Sequence, residues 1–176
     1  MKKTLRSIIL SFIAVFTFVV AGCSCNFFTE TYSGKGMTIT MDRGFEEDTS
    51  EEYDYTWFLT KSDAMMIAIK EEFQEGFSST EYTLEEYTDL VQDVNSTNHP
   101  VHTRENENYM YFSYNASSEG NTYYYMVTTH VSADAFWIIQ FVCFAEDKSK
   151  FEPKFLTWAD SVTFDADANT QTGEGV

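Results

Sequence analysis

Basic residues are scarce in this chain. Eleven Lys and Arg stand against 28 Asp and Glu, for a net charge of −17. Neutralising phosphates takes clustered Lys and Arg, so nucleic acid is excluded as a partner. Proline occurs twice and cysteine three times, with no CxxC pair and no zinc spacing. No apolar run reaches the roughly 20 residues that a bilayer-spanning helix needs. A nucleophile elbow, an HExxH helix and a glycine-rich phosphate loop are all missing, and few titratable residues lie in apolar runs. The chain is therefore expected to be neither an enzyme nor the holder of a cofactor.

The longest apolar run is Ile8 to Ala21, broken only by Ser11 and Thr17, behind the basic head Lys2, Lys3 and Arg6. This is the layout of a secretory signal. It ends in Val20-Ala21-Gly22-Cys23, which resembles the lipobox of bacterial lipoproteins. The resemblance implies a signal peptide over 1–22, cleavage before Cys23 and a diacylglyceryl group on its sulfur. The protein would then be lipid-anchored on the extracytoplasmic face of the cell membrane. The alternative is an ordinary signal cut elsewhere, with Cys23 incidental. Removing residues 1–22, with their three basic residues and no acid, takes the charge from −17 to −20. Such an acidic body is repelled by anionic headgroups, so the lipid and not the charge would hold it.

Residues 24–36 are polar and without clear period, and read together with Cys23 as a lipidated tether, 23–36. One domain is expected over 37–164 and a disordered tail over 165–176. Expected strands are 37–41, 55–61, 64–73, 108–115, 122–131 and 136–145, with a tight Ser62-Asp63 turn between the second and third. Helices are expected over 83–95 and 150–163, each opened by a capping-box pattern, Thr83 with Glu86 and Ser149 with Glu152. The buried face of the first is Leu84, Tyr87, Leu90, Val91 and Val94, with Asn95 as its stop. The run "FWIIQFVCF" is apolar on both faces, the mark of a covered central strand. Cys143 within it is expected to be buried and unpaired, while Cys25 lies in the tether.

Short turns between strands force antiparallel pairing. The fold class is thus α+β: an antiparallel sheet of about six strands sandwiched by two main helices, in the order β-β-β-α-β-β-β-α. With "FWIIQFVCF" before the final helix and "FEPKFLTWADSVTF" closing the domain, residues 37–164 resemble the PsbP-like α/β/α sandwich family, a fold that also occurs in DcrB-like bacterial envelope lipoproteins. These motifs are structural and carry no chemistry.

Several clusters remain as candidate sites. His99-Pro100-Val101-His102 with Glu105 and Glu107 mixes imidazole and carboxylate, as a surface metal site would. Against it, a proline-broken loop supplies too few ligands. Asp165, Asp167 and Asn169 imitate the start of a calcium loop, but Thr170 and Val176 stand where Gly and Glu are needed. The stretch "GFEEDTSEEYD" (44–54) holds six acids and reads as a solvated loop, with weak calcium binding as the other reading. His130 is expected on a half-exposed strand face. Tyr109 and Tyr111 share one face of their strand, and Tyr123 and Tyr125 one face of the next. They read as cross-strand packing, with stacking on a sugar as the alternative. The function expected is a non-catalytic interaction or accessory module of the cell envelope with an unnamed protein partner. The alternative is a ligand-binding lipoprotein for a metal ion or saccharide.

Overall fold

The computed structural model describes residues 29–49, 55–73, 82–95, 98–104 and 109–165. The lipobox, Cys23, Cys25 and the tail beyond Asp165 lie outside these residues. In chain order the elements are β1 (Thr29–Gly34), β2 (Met37–Asp42), β3 (Glu46–Glu47), β4 (Trp57–Lys61), β5 (Ala64–Glu72), α1 (Leu84–Val94), β6 (His102–Thr103), β7 (Tyr109–Ser118), β8 (Asn121–Val131), β9 (Ala135–Phe144), α2 (Lys148–Ala159) and β10 (Thr163–Phe164). The main sheet runs β3-β4-β5-β9-β8-β7-β6, and β1-β2-β10 form a small second sheet. Every strand pair is antiparallel.

Local sequence explains the joints. Ser62-Asp63 closes β4 onto β5, with Lys61 opposite Ala64, as expected. Glu119-Gly120 closes β7 onto β8 with φ of 52° and 84°, the paired positive angles that match strand twist in a two-residue hairpin. α1 opens on the expected capping box: Thr83 Oγ1 accepts the Glu86 N–H at 3.2 Å, and the Glu86 carboxylate accepts the Thr83 N–H at 2.8 Å. Asn95 ends it by donating to the Val91 carbonyl at 2.7 Å. α1 is also the crossover that carries the chain from β5 to the far edge, from which β7, β8 and β9 return as a meander.

The two faces of the sheet are covered differently. On one, Met66, Met126, Trp137, Phe141 and Cys143 meet Met37, Ile39 and Met41 of the small sheet and Phe151, Phe155 and Trp158 of α2. Burying side chains of this size contributes about 1.5–3 kcal/mol each, which fixes α2 in place. On the other, Tyr87 and Val91 of α1 sit on Ile69, Phe112, Val127, Phe136 and Ile138. Beside them Phe58, Met65, Ile67, Tyr123, Tyr125 and Val142 form a third buried cluster. The expected α+β class holds, and β5 and β9 are the two-faced centre.

Several details differ from the sequence reading, among them the end of the second helix, which stops at Ala159 where 163 was expected, leaving Thr163–Phe164 as β10. The strand at 37–42 belongs to a separate small sheet, because β1 occupies one of its edges and β10 the other. β1 itself lies in the stretch read as tether; its residues are largely exposed, so no apolar alternation betrays it. α2 starts two residues early, after a 3₁₀ turn at Ala145–Asp147, so Ser149 and Glu152 are both inside the helix and form no capping box. Glu152 instead accepts the Tyr124 hydroxyl at 2.7 Å. On α1 the buried residues are Tyr87, Thr88, Val91 and Gln92, whereas Val94 is 48 % exposed. Thr88 is drawn in by Thr129, whose hydroxyl lies 2.6 Å from its own.

Candidate functional site

The densest polar assembly lies where β10 crosses the main sheet. Asp160, just past α2, accepts Arg104 Nε at 3.1 Å and the Tyr109 hydroxyl at 2.6 Å, and takes a second bond from the same guanidinium. Burial works to raise the Asp160 carboxyl, but these donors outweigh it and hold the group below the usual carboxylate range. The Tyr109 ring stacks on His130 at 4.9 Å, and Phe164 of β10 meets the imidazole edge-on at 5.8 Å. His130 is therefore buried and not half exposed, and burial pushes its imidazole down to about 3. The sequence reading missed the cover because β10 is only two residues long.

Hydrogen bonding holds this histidine in place. Thr128 Oγ1 donates to the Ile139 carbonyl at 3.2 Å, and His130 Nε2 lies 2.9 Å from the same oxygen. With the hydroxyl turned to the carbonyl, Nε2 carries the hydrogen and donates; with the hydroxyl turned to the ring, Nε2 accepts. Further along, Phe164 stacks on Trp137, whose Nε1 donates to Ser132 Oγ at 3.1 Å. Ser132 donates to Asp134 at 2.8 Å, and Lys70 closes the series with a 2.7 Å bond to Asp134. The assembly ties β5, β7, β8, β9, β10 and the end of α2 together.

The other sequence candidates disperse. His99 stacks on Tyr114 at 5.2 Å, on the α1 side of the sheet. His102 lies against Tyr111 at 5.0 Å, on the α2 side. The two rings are thus separated by the sheet edge and do not converge on one ion. Glu105 and Glu107 fall outside the described residues, and among the described residues no group of three His, Cys, Asp or Glu is arranged to hold a metal. Asp167 and Asn169 also lie outside them, as do Glu51, Glu52 and Asp54. Glu46 and Glu47 form an edge strand on β4 instead of a loop, with Phe45 beside them buried. Tyr109, Tyr123 and Tyr125 are buried, so they pack and offer no stacking platform; Tyr111 is half-buried against the α2-side core. Cys143 is free and buried, and burial first, then the nearby carboxylates, pushes its thiol up to about 12.

One polar group stands apart on the α1 side. Gln140, the one polar residue of its run, lies between Ile67 and Val127 in register, and its Oε1 is buried with no hydrogen-bond partner. Tyr125, two residues from Val127 on β8, stacks on Tyr114 at 5.0 Å nearby.

No family model matches the chain, and no curated protein does. Among solved structures it is similar to a crystal structure from Bacteroides thetaiotaomicron VPI-5482, with a TM-score of 0.52 and 8 % identity over 75 % of this chain and 46 % of that one. The chain thus spans under half the length of that neighbour, and the likeness shows a common fold alone. It is also similar to the solution structure of CyanoP, the cyanobacterial PsbP of Synechocystis sp. PCC 6803, with 14 % identity over 81 % of this chain and 98 % of that one. There the TM-score is 0.40, too low to argue from.

Proposed function

We propose that this chain is a lipid-anchored, extracytoplasmic protein whose domain is a non-catalytic interaction or accessory module of the cell envelope. The observation that carries the reading is how the domain uses its reactive side chains. His130, Cys143, Asp160, Arg104 and Tyr109 are buried or bonded to one another, and a buried thiol at about 12 holds little thiolate. The lipobox pattern at Val20 to Cys23 supplies the anchor. β1 begins at Thr29, so the linker from Cys23 reaches about 20 Å at most. A domain on so short a lead works at the membrane surface. Cell fractionation of a Cys23→Ala variant tests the anchor: the wild type goes to the membrane pellet and the detergent phase, the variant to the soluble fraction. A variant that stays with the membrane defeats the reading.

Binding of a metal ion or saccharide is the second reading, favoured by the Gln140 Oε1, a buried acceptor on the α1 side with no donor of its own among the described residues. A thermal-shift series with calcium, manganese and oligosaccharides separates the two. A ligand at 100 times its Kd adds about 2.7 kcal/mol, which is a clear rise in Tm.

A further inference from the structure

The two sides of the main sheet end differently. On one, β3 borders β4 with Glu46 and Glu47, and Asp48 follows them. Charges on an edge discourage pairing with another chain. On the other, β6 borders β7 at Met110 and Tyr111 alone. None of the ten residues of β7 is charged or proline, and its register with β8 is unbroken, so no bulge bends it away. Asn115, Ala116 and Ser117 are exposed, and among the described residues no strand continues the sheet beyond them.

The backbone groups on that edge can be assigned. The Arg104 N–H bonds the Tyr109 carbonyl at 3.4 Å, so Tyr109 turns its peptide groups toward the β6 side. Strand alternation turns those of Tyr111, Ser113, Asn115 and Ser117 the same way, while Ser118, opposite Asn121, closes the hairpin onto β8. Past β6, then, Ser113, Asn115 and Ser117 present their N–H and carbonyl groups outward in a row.

This row is complementary to itself. About a two-fold axis at Asn115, that residue exchanges both bonds with its own copy, and Ser113 exchanges them with Ser117 of the second copy. On the α1 side Tyr114 then stands opposite Ala116 of the second copy, a large ring against a small side chain, and Phe112 opposite Ser118. On the α2 side only serine and asparagine meet. Such an axis is normal to the sheet, so both copies turn their α2 side the same way. The small sheet that contains β1 packs on that side, so both tethers leave toward one membrane.

We propose that the outer edge of β7 pairs antiparallel with the same edge of a second copy, centred on Asn115, and joins two main sheets into one. The proposal rests on the anchored interaction module argued above and names its partner. Two strongly acidic bodies repel, and one strand pair is narrow beside the roughly 1,200–2,000 Å² of a stable interface. Confinement to one membrane raises the effective concentration of each copy for the other and offsets both.

The test uses the full chain with Cys25→Ser, made in a bacterial host and reconstituted at low density into phosphatidylcholine vesicles. Asn115→Cys is treated with a short bismaleimide, which easily spans the roughly 5.5 Å between Cα atoms of a hydrogen-bonded pair. Asp93→Cys, at an exposed position on α1, is the control. The Asn115→Cys chain should give about fivefold more cross-linked dimer than the control, or better. Adding Ser117→Pro should bring the yield down to the control, because the Ser117 N–H faces outward and the β8 ladder does not use it. Should that chain misfold, Ser117→Asp breaks the pairing through charge at an exposed position. Equal yields from both cysteines, or a dimer indifferent to both substitutions at Ser117, overturn the proposal. In intact cells, an adduct of Asn115→Cys with another protein in place of the dimer gives the edge to a partner's strand and overturns self-pairing. Chains that do not float with the vesicles overturn the anchor but not the edge. The same comparison in solution with Cys23→Ser, at high protein and high salt where repulsion is screened, then decides the edge.

Discussion

His130 makes the burial of the β10 crossing measurable. With its imidazole pushed down to about 3 by burial, the folded state keeps the ring neutral where the unfolded chain protonates it near 6.5. The sign follows from linkage. Above about pH 6.5 neither state binds the proton and nothing is lost. As pH falls, the unfolded state binds it first, so stability declines until the folded ring titrates as well. The loss is about 2 kcal/mol at pH 5 and about 3 kcal/mol at pH 4. Carboxylates titrate over part of that range, so the wild type alone is ambiguous. His130→Phe removes the titration while keeping an aromatic ring between Tyr109 and Phe164, and Thr128 retains its bond to the Ile139 carbonyl. Urea unfolding followed by tryptophan fluorescence at pH 7 and pH 5 gives the comparison. The wild type should lose about 2 kcal/mol more than the variant between the two values. Equal losses would mean that water reaches the imidazole and that Phe164 does not seal it.

Cys143, with its thiol raised to about 12, should label slowly in a folded variant lacking Cys23 and Cys25 and fully in denaturant; fast native labelling would mean an exposed β9. Thr83→Ala removes the hydroxyl half of the α1 capping box and should cost about 1 kcal/mol in urea titration, whereas Ser149→Ala, with no box to lose, should cost far less. Asp160→Asn leaves Arg104 and Tyr109 without their carboxylate and should destabilise by about 1 kcal/mol, a modest figure because Arg104 is 39 % exposed. The folded Asp160 carboxyl is lowered, so its contribution is present above about pH 4 and lost as pH falls through the folded value. The variant should therefore show a shallower acid limb below pH 4, and an unchanged limb would refute the ion pair.

Long apolar periodicities carried most of the fold. β5, β8 and β9 alternate or run apolar over nine to eleven residues, and α1 has its capping box, so their type and order were readable from the chain. The failures share a cause, which is shortness or polarity. β1 offers Thr, Glu, Thr, Tyr, Ser and Gly, and only the Lys35-Gly36 turn after it hints at a hairpin. β10 is two residues, below any window in which a period can be seen. The start of α2 was misplaced because Ser149 and Glu152 have capping-box spacing, while the preceding 3₁₀ turn begins the helical path earlier. Alternation says which side of a strand a residue faces, but not what lies on that side. His130 shows this: its face was readable, its cover was not.

The same limit explains why no site could be read from the sequence. Residues that mark catalysis or metal binding are also those that fasten a two-faced sheet, and here they are used as fasteners. Their arrangement has a mechanical consequence for an anchored protein. β1 is paired with β2 along all six of its residues, from Thr29 opposite Asp42 to Gly34 opposite Met37. β2 is bound in turn to the end of α2, through Asp42 with Lys154 and through Thr40, whose N–H donates to Ser161 Oγ and whose carbonyl accepts from it. Phe164 of β10 then reaches the main sheet at Trp137. A pull on a lipid at Cys23 would be delivered within about 20 Å of chain to an edge strand that β2 ties to the rest of the domain.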